Sequence, residues 1–148
     1  MLTGPIPLLL VAALLAQGVI AFVLLLKLGA VRIPMITRGE VRLRDMALSR
    51  DIWPERARQL SNAFDNQFQL PVLFYVAGIL ALVFGPTLFE LLLAWAFVLS
   101  RIVHAVIHAT DNHVIRRFFA YLVGLSILGL FWLDLCVRLV LHALGGAS

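Results

Sequence analysis

The sequence is short of cysteine and of charge, and each shortage excludes a class of protein. Cys136 is the sole cysteine among 148 residues, so no intrachain disulfide can form. The four histidines do not combine with it in any zinc-ligand spacing, and no metal site is expected. Charged residues make up 14% of the chain, against about 25% in soluble domains. Hydrophobic residues reach 62%, and mean hydropathy is +1.00. A chain this short has a poor surface-to-volume ratio and needs more polar surface to stay dissolved, not less. A water-soluble monomer and a disordered tail are both excluded. The pI near 10.2 does not indicate a nucleic-acid partner, because no aromatic-interleaved basic platform accompanies the charge. With no repeat of about 20–50 residues, residues 1–148 read as a single membrane domain.

What the chain has is long apolar runs. About 20 such residues cross about 30 Å of hydrocarbon as a helix. Four spans are expected, at about 5–28, 66–84, 88–108 and 118–137, with a basic connection over 29–53. No positive charge precedes the first run, which is also too long for a signal peptide, so it reads as a retained span. Gly85-Pro86-Thr87 is a tight break, and Thr37-Arg38-Gly39-Glu40 is a turn. Eight of the 12 Lys/Arg residues lie between Lys27 and Arg58, and Arg116 and Arg117 separate the last two spans. The positive-inside rule then places both basic connections in the cytoplasm and both termini outside. The expected location is an inner (cytoplasmic) membrane, crossed several times.

Polar residues interrupt this pattern in two places. Trp53-Pro54 is a helix start, and Pro54 to Phe84 would make a helix of about 46 Å, kinked at Pro71. On it Arg58, Asn62, Asp65 and Gln69 fall within about 60° of arc, flanked by Asn66. In the third span Arg101, His104 and His108 share a similar arc. Arg101 lies about 10 Å from His108 along the axis, partway into the membrane. An arginine at mid-bilayer costs at least about 2.5–3.5 kcal/mol and normally has a partner. Asp65 is the first choice for that partner, ahead of Glu90.

Plainer readings exist for each group. Arg58 fits an interfacial anchor, and Asn62 and Gln69 fit interhelical hydrogen bonds. His104 alone fits a packed polar residue. Asp134, Arg138 and His142, spaced by four, fit a helix-end ion pair. Together, however, the two stripes and Arg116–Arg117 converge on the cytoplasmic side. Such a pocket suits an anionic, peptide-like ligand held by charge-assisted hydrogen bonds.

Arg101-Ile-Val-His104-Ala-Val-Ile-His108, followed by Arg117 and Gly124, resembles the MAPEG family, the membrane-associated proteins in eicosanoid and glutathione metabolism. His108 stands where the microsomal transferases and prostaglandin synthases of that family usually carry tyrosine. A second match has two registers. Arg58, Asn62 and Asp65 resemble the family pattern Arg-x-x-x-Asn-x-x-Glu, with aspartate for glutamate. Alternatively, Asn66-Gln-Phe-Gln69-Leu-Pro71-Val-Leu-Phe-Tyr75 resembles the bacterial branch, with Gln69 in the acidic place.

The resemblance implies an all-α, integral membrane four-helix bundle that assembles as a homotrimer. It implies glutathione as co-substrate, contacted by Arg58, Asn62, Asp65, Asn66, Gln69, Arg101, His104 and His108 across the two registers. Arg117 would lie at the sulfur as the catalytic residue. The remaining partners it implies are membrane lipid and a lipophilic small molecule. Two functions stay open. One is a glutathione-dependent transferase or peroxidase acting on lipophilic electrophiles through an arginine-stabilised thiolate. The other is a non-catalytic scaffold that binds a lipid or a membrane partner. A proton or ion path through His104 and His108 lacks a continuous polar line to the outer side.

Overall fold

The computed structural model describes residues 4–42, 44 and 52–145. The rest of the basic connection, Arg50 included, lies outside the described residues. Among the described residues there are five α-helices: α1 (Pro5–Thr37), α2 (Glu55–Asp65), α3 (Leu70–Phe84), α4 (Leu88–Ala109) and α5 (Val114–Gly145). A 3-10 turn, Asn66–Phe68, joins α2 to α3. Taking α2, the turn and α3 as one unit, four segments are long and apolar enough to cross a membrane. They form a four-helix membrane bundle.

α1 runs nine residues past the end of its expected span at Leu28. The apolar run ends there, but the backbone ladder continues because the extension has its own packing. Val31, Met35 and Ile36 pack against Val41, Trp53 and Ala57, and the Arg32 guanidinium lies 4.4 Å from the Trp53 ring centroid. Proline in the first turn of α1 suits a position whose N–H has no intrahelical partner. α5 likewise starts at Val114, before its expected span, and reaches Gly145.

The second span departs from the continuous, Pro71-kinked helix expected of it. Gln69 has φ −104° and ψ −104°, outside the helical region. Pro71 lacks the N–H that would bond to Gln67, and it disfavours helical geometry at Leu70. The chain therefore restarts at α3, with Pro71 in its first turn, where proline is tolerated.

α4 is the most enclosed helix, lying between α1 and α5. Its start is fixed by a capping box. The Thr87 hydroxyl accepts from the Glu90 N–H at 3.2 Å, and the Glu90 carboxylate accepts from the Thr87 N–H at 2.6 Å. Gly85 precedes it at φ +80°, a conformation most side chains disfavour. The main core joins all four segments, with Phe74 stacked on Phe97 at 4.5 Å and Phe131 set edgewise against Phe74.

α5 approaches α4 closely at Gly124. A Cβ there would lie 2.9 Å from the Ser100 hydroxyl oxygen, which is held by its bond to the Phe97 carbonyl. Gly124→Ala gains helix propensity of about 1 kcal/mol, but overpacking costs about 1–3 kcal/mol. A net loss is expected. In a Ser100→Ala background the only tight contact disappears, and the same substitution should become neutral or favourable. Thermal denaturation of the four variants in one detergent checks this reversal.

Candidate functional site

Arg101, His104 and His108 all turn inward from α4, with relative exposures of 0%, 2% and 6%. The Arg101 side chain donates from Nη2 to Asn66, to both the side-chain and the main-chain oxygen. The expected partner, Asp65, does not form this contact. The tighter winding of the 3-10 turn presents Asn66 to Arg101 instead, one residue further along. Glu90, the second choice, is at the other end of the helix and pairs with Arg138.

The Asn66 turn is braced from several directions. The Asn66 amide donates to Gln69 Oε1 at 2.9 Å, which leaves its oxygen for Arg101. Next to it, Gln67 is buried and accepts from Gln17 Nε2 of α1 at 3.1 Å. Gln67 Nε2 in turn donates to the Ala63 carbonyl at 3.2 Å. A glutamine in the middle of an apolar helix therefore holds the break in the second span.

Arg101 is incompletely satisfied. Its Nε and Nη1 are buried without a hydrogen-bond partner among the described residues, as are Nδ1 of His104 and of His108. The two histidines border a cavity of about 240 Å³, lined by Asn66, His104, His108, Val114, Arg117, Phe118 and Tyr121, and Arg101 adjoins it through Asn66. The two imidazoles meet edge to face at 5.6 Å, and Tyr121 packs on His104 at 6.0 Å. The Arg117 guanidinium at a pocket without a carboxylate among its described lining residues, with Arg101 behind Asn66, suits an anion. Val114 and Phe118 are exposed on the helix surface, so the cavity also meets the apolar exterior.

Arg116 and Arg117 have separate roles. Arg116 is exposed and pairs with Asp111 at 3.5 Å. Arg117 is partly buried, lines the cavity, and donates to Asn112 Oδ1 at 2.5 Å.

The polar stripe of the second span divides between two places. Arg58 and Asn62 line a different cavity of about 400 Å³, together with Arg32, Glu55, Gln59, Ser61 and Asn112. Asn66 lines the cavity beside Arg101, Gln69 reaches it only through Asn66, and Asp65 lines neither. One continuous site face was expected; the 3-10 turn interrupts the helical count and splits it.

Several contributors are not marked by periodicity. Arg56 Nη1 donates to the Ala109 carbonyl at 2.6 Å, and Gln59 Nε2 donates to the carbonyls of His108 and Thr110, each at 2.9 Å. These side chains of α2 satisfy carbonyls that the end of α4 leaves open. Tyr121 carries a readable signal, being four residues after Arg117 on the same helix face. At the outer end, Arg138 bonds to Glu90 at 2.5 Å rather than forming the expected pair within α5. It also donates to the carbonyls of Phe84 and Gly85.

A family model described as the MAPEG family matches residues 9–136. That stretch contains the Asn66 turn, the inward face of α4 and Arg117. No curated protein and no solved structure matches the chain. By the extent of the family match, which takes in most of all four spans, the chain belongs to the MAPEG family.

Proposed function

We propose that this protein is a glutathione-dependent enzyme that acts on lipophilic electrophiles or peroxides in the membrane. The observation that carries the reading is the cavity that Arg117 lines with His104, His108 and Asn66, backed by the buried Arg101, whose Nε and Nη1 have no hydrogen-bond partner among the described residues. An anion there would meet the Arg117 guanidinium and the unpartnered Nδ1 atoms of His104 and His108, with the Arg101 charge behind Asn66. Arg117 would hold the sulfur as thiolate, the reactive form. Arg101, His104, His108 and Asn66 would bind the rest of the ligand, with Gln69 positioning Asn66. Arg58 and Asn62, and with them Asp65, belong to this reading through the neighbouring cavity.

In transfer, the thiolate sulfur bonds to an electrophilic carbon while the bond to the leaving group breaks, and that group takes the electron pair. With a peroxide, the sulfur attacks oxygen and the O–O bond breaks, releasing an alcohol after protonation. A second glutathione converts the resulting sulfenic acid to the disulfide and water. The proposal includes assembly as a homotrimer, with both basic connections on the cytoplasmic side of a bacterial inner membrane.

A non-catalytic scaffold is the second reading, and the absence of Asp65 from the Arg101 cavity favours it. Glutathione titration of detergent-purified protein, read by thermal shift and thiolate absorbance, separates the two. Saturable binding, with the thiolate signal lost in Arg117→Ala, is expected. Millimolar glutathione that neither raises the melting temperature nor forms thiolate would overturn the enzyme reading.

A further inference from the structure

Asn112 lies in the four-residue connection between α4 and α5, at a backbone φ of +51°. This is a left-handed conformation that asparagine tolerates better than most side chains. Its N–H bonds back to the Ile107 carbonyl at 2.8 Å, which closes the end of α4. Its side-chain oxygen accepts from Arg117 Nη1. Asn112 also lines the larger cavity, whereas Arg117 lines the smaller one. The Asn112–Arg117 hydrogen bond thus joins a residue that lines one cavity to a residue that lines the other.

We infer that Asn112 is a positioning residue for Arg117. Arg117, in the first turn of α5, has a long side chain with many rotamers, and fixing it in one costs entropy each time a ligand binds. The Asn112 backbone is held to α4, and its oxygen supplies the acceptor that fixes the guanidinium beforehand. The neighbouring Asp111–Arg116 pair is solvent-exposed and so constrains little. The inference concerns where Arg117 points and holds whether or not the ligand is glutathione; only its catalytic consequence rests on the function proposed above.

Asn112→Gly tests it, because glycine keeps the left-handed backbone and removes only the acceptor. Asn112→Asp restores an oxygen at the same place. The first readout is the rate at which phenylglyoxal modifies Arg117 in the purified full chain, followed by peptide mass spectrometry. Arg138, at the other end of the bundle, reports whether the fold is intact. Asn112→Gly should raise the Arg117 rate about 3-fold or more, Asn112→Asp should return it to the wild-type value, and Arg138 should not change. The second readout is the thiolate absorbance of bound glutathione. It should fall in Asn112→Gly to the level of Arg117→Ala, with no further loss in the double variant.

An Arg117 rate in Asn112→Gly equal to wild type overturns the inference. So does a raised rate that Asn112→Asp fails to correct. If glutathione does not bind the wild-type protein, the proposed function falls, while the labelling comparison still decides the role of Asn112.

Discussion

Arg101→Met is expected to abolish ligand binding while leaving the protein about as stable as it was, or more so. Arg101 is fully buried, yet two of its three nitrogens have no hydrogen-bond partner among the described residues. Replacing a buried, incompletely compensated charge by an apolar side chain of similar length is often neutral or stabilising, by about 1–4 kcal/mol. The opposing term is Asn66, whose oxygen loses its donor at a cost of about 1–3 kcal/mol. These contributions nearly cancel. Binding has no such compensation: losing one partner of a buried charge-assisted contact costs about 2–5 kcal/mol, roughly 30-fold or more in affinity. Melting temperature and glutathione affinity, measured on the same preparation, should therefore part company. Arg101→Ala should lose both, because it also opens a void worth about 2–5 kcal/mol. A steep fall in the stability of Arg101→Met would instead mark Arg101 as a structural residue.

Arg138→Met should have the opposite profile. Glu90 has 0% exposure, and its carboxylate accepts from the Thr87 N–H, the Thr87 hydroxyl and Arg138. Removing Arg138 leaves that carboxylate buried without its counter-ion, and single-partner losses of this kind cost about 3–5 kcal/mol. The Arg138 side chain is 27% exposed, so solvent screening brings the expectation to about 2–4 kcal/mol. Arg138 also ties the Phe84 and Gly85 carbonyls, and the α3–α4 turn should loosen with it. Glu90→Gln alongside Arg138→Met keeps an acceptor for Thr87, removes the stranded charge and should recover most of the loss. Thermal and denaturant unfolding in mixed micelles measure the cycle. Glutathione affinity per folded molecule should not change, because the cluster lies at the far end of α4 from His104 and His108.

The bundle was legible in the sequence where a single physical rule governs the chain. Apolar length alone marks all four membrane segments, and the regular winding of α4 makes the spacing of Arg101, His104 and His108 sufficient to put them on one buried face. The same count failed on the second span, since it assumes unbroken winding through Asn66–Phe68. The stop at Gln69 was signalled by Pro71, but a proline marks a boundary without saying which polar side chain the resulting turn will present. Helix ends follow a different rule from span ends. Hydropathy reports where lipid ends, whereas α1 continues because Met35 and Ile36 find Trp53 and Val41 outside the membrane. The contacts of Gln59, Arg56 and Asn112 depend on interhelical distances and one left-handed backbone angle, which no periodicity encodes.

The break at Asn66–Phe68 has a consequence for the surrounding lipid. α3, with 15 residues, spans about 22 Å, whereas α4, with 22, spans about 33 Å. A hydrocarbon layer of about 30 Å matches α4 but exceeds α3, so a layer that covers α4 also reaches the 3-10 turn. Irregular backbone survives there only when it is enclosed by protein or lines a wet cavity, and Gln17, Gln67 and Arg101 supply that enclosure. Hydrophobic mismatch therefore acts on the very turn that presents Asn66. Long acyl chains immerse it more deeply, and short chains relieve it. Acyl-chain length thus becomes a control on the Asn66–Arg101 contact that the protein shares with its membrane.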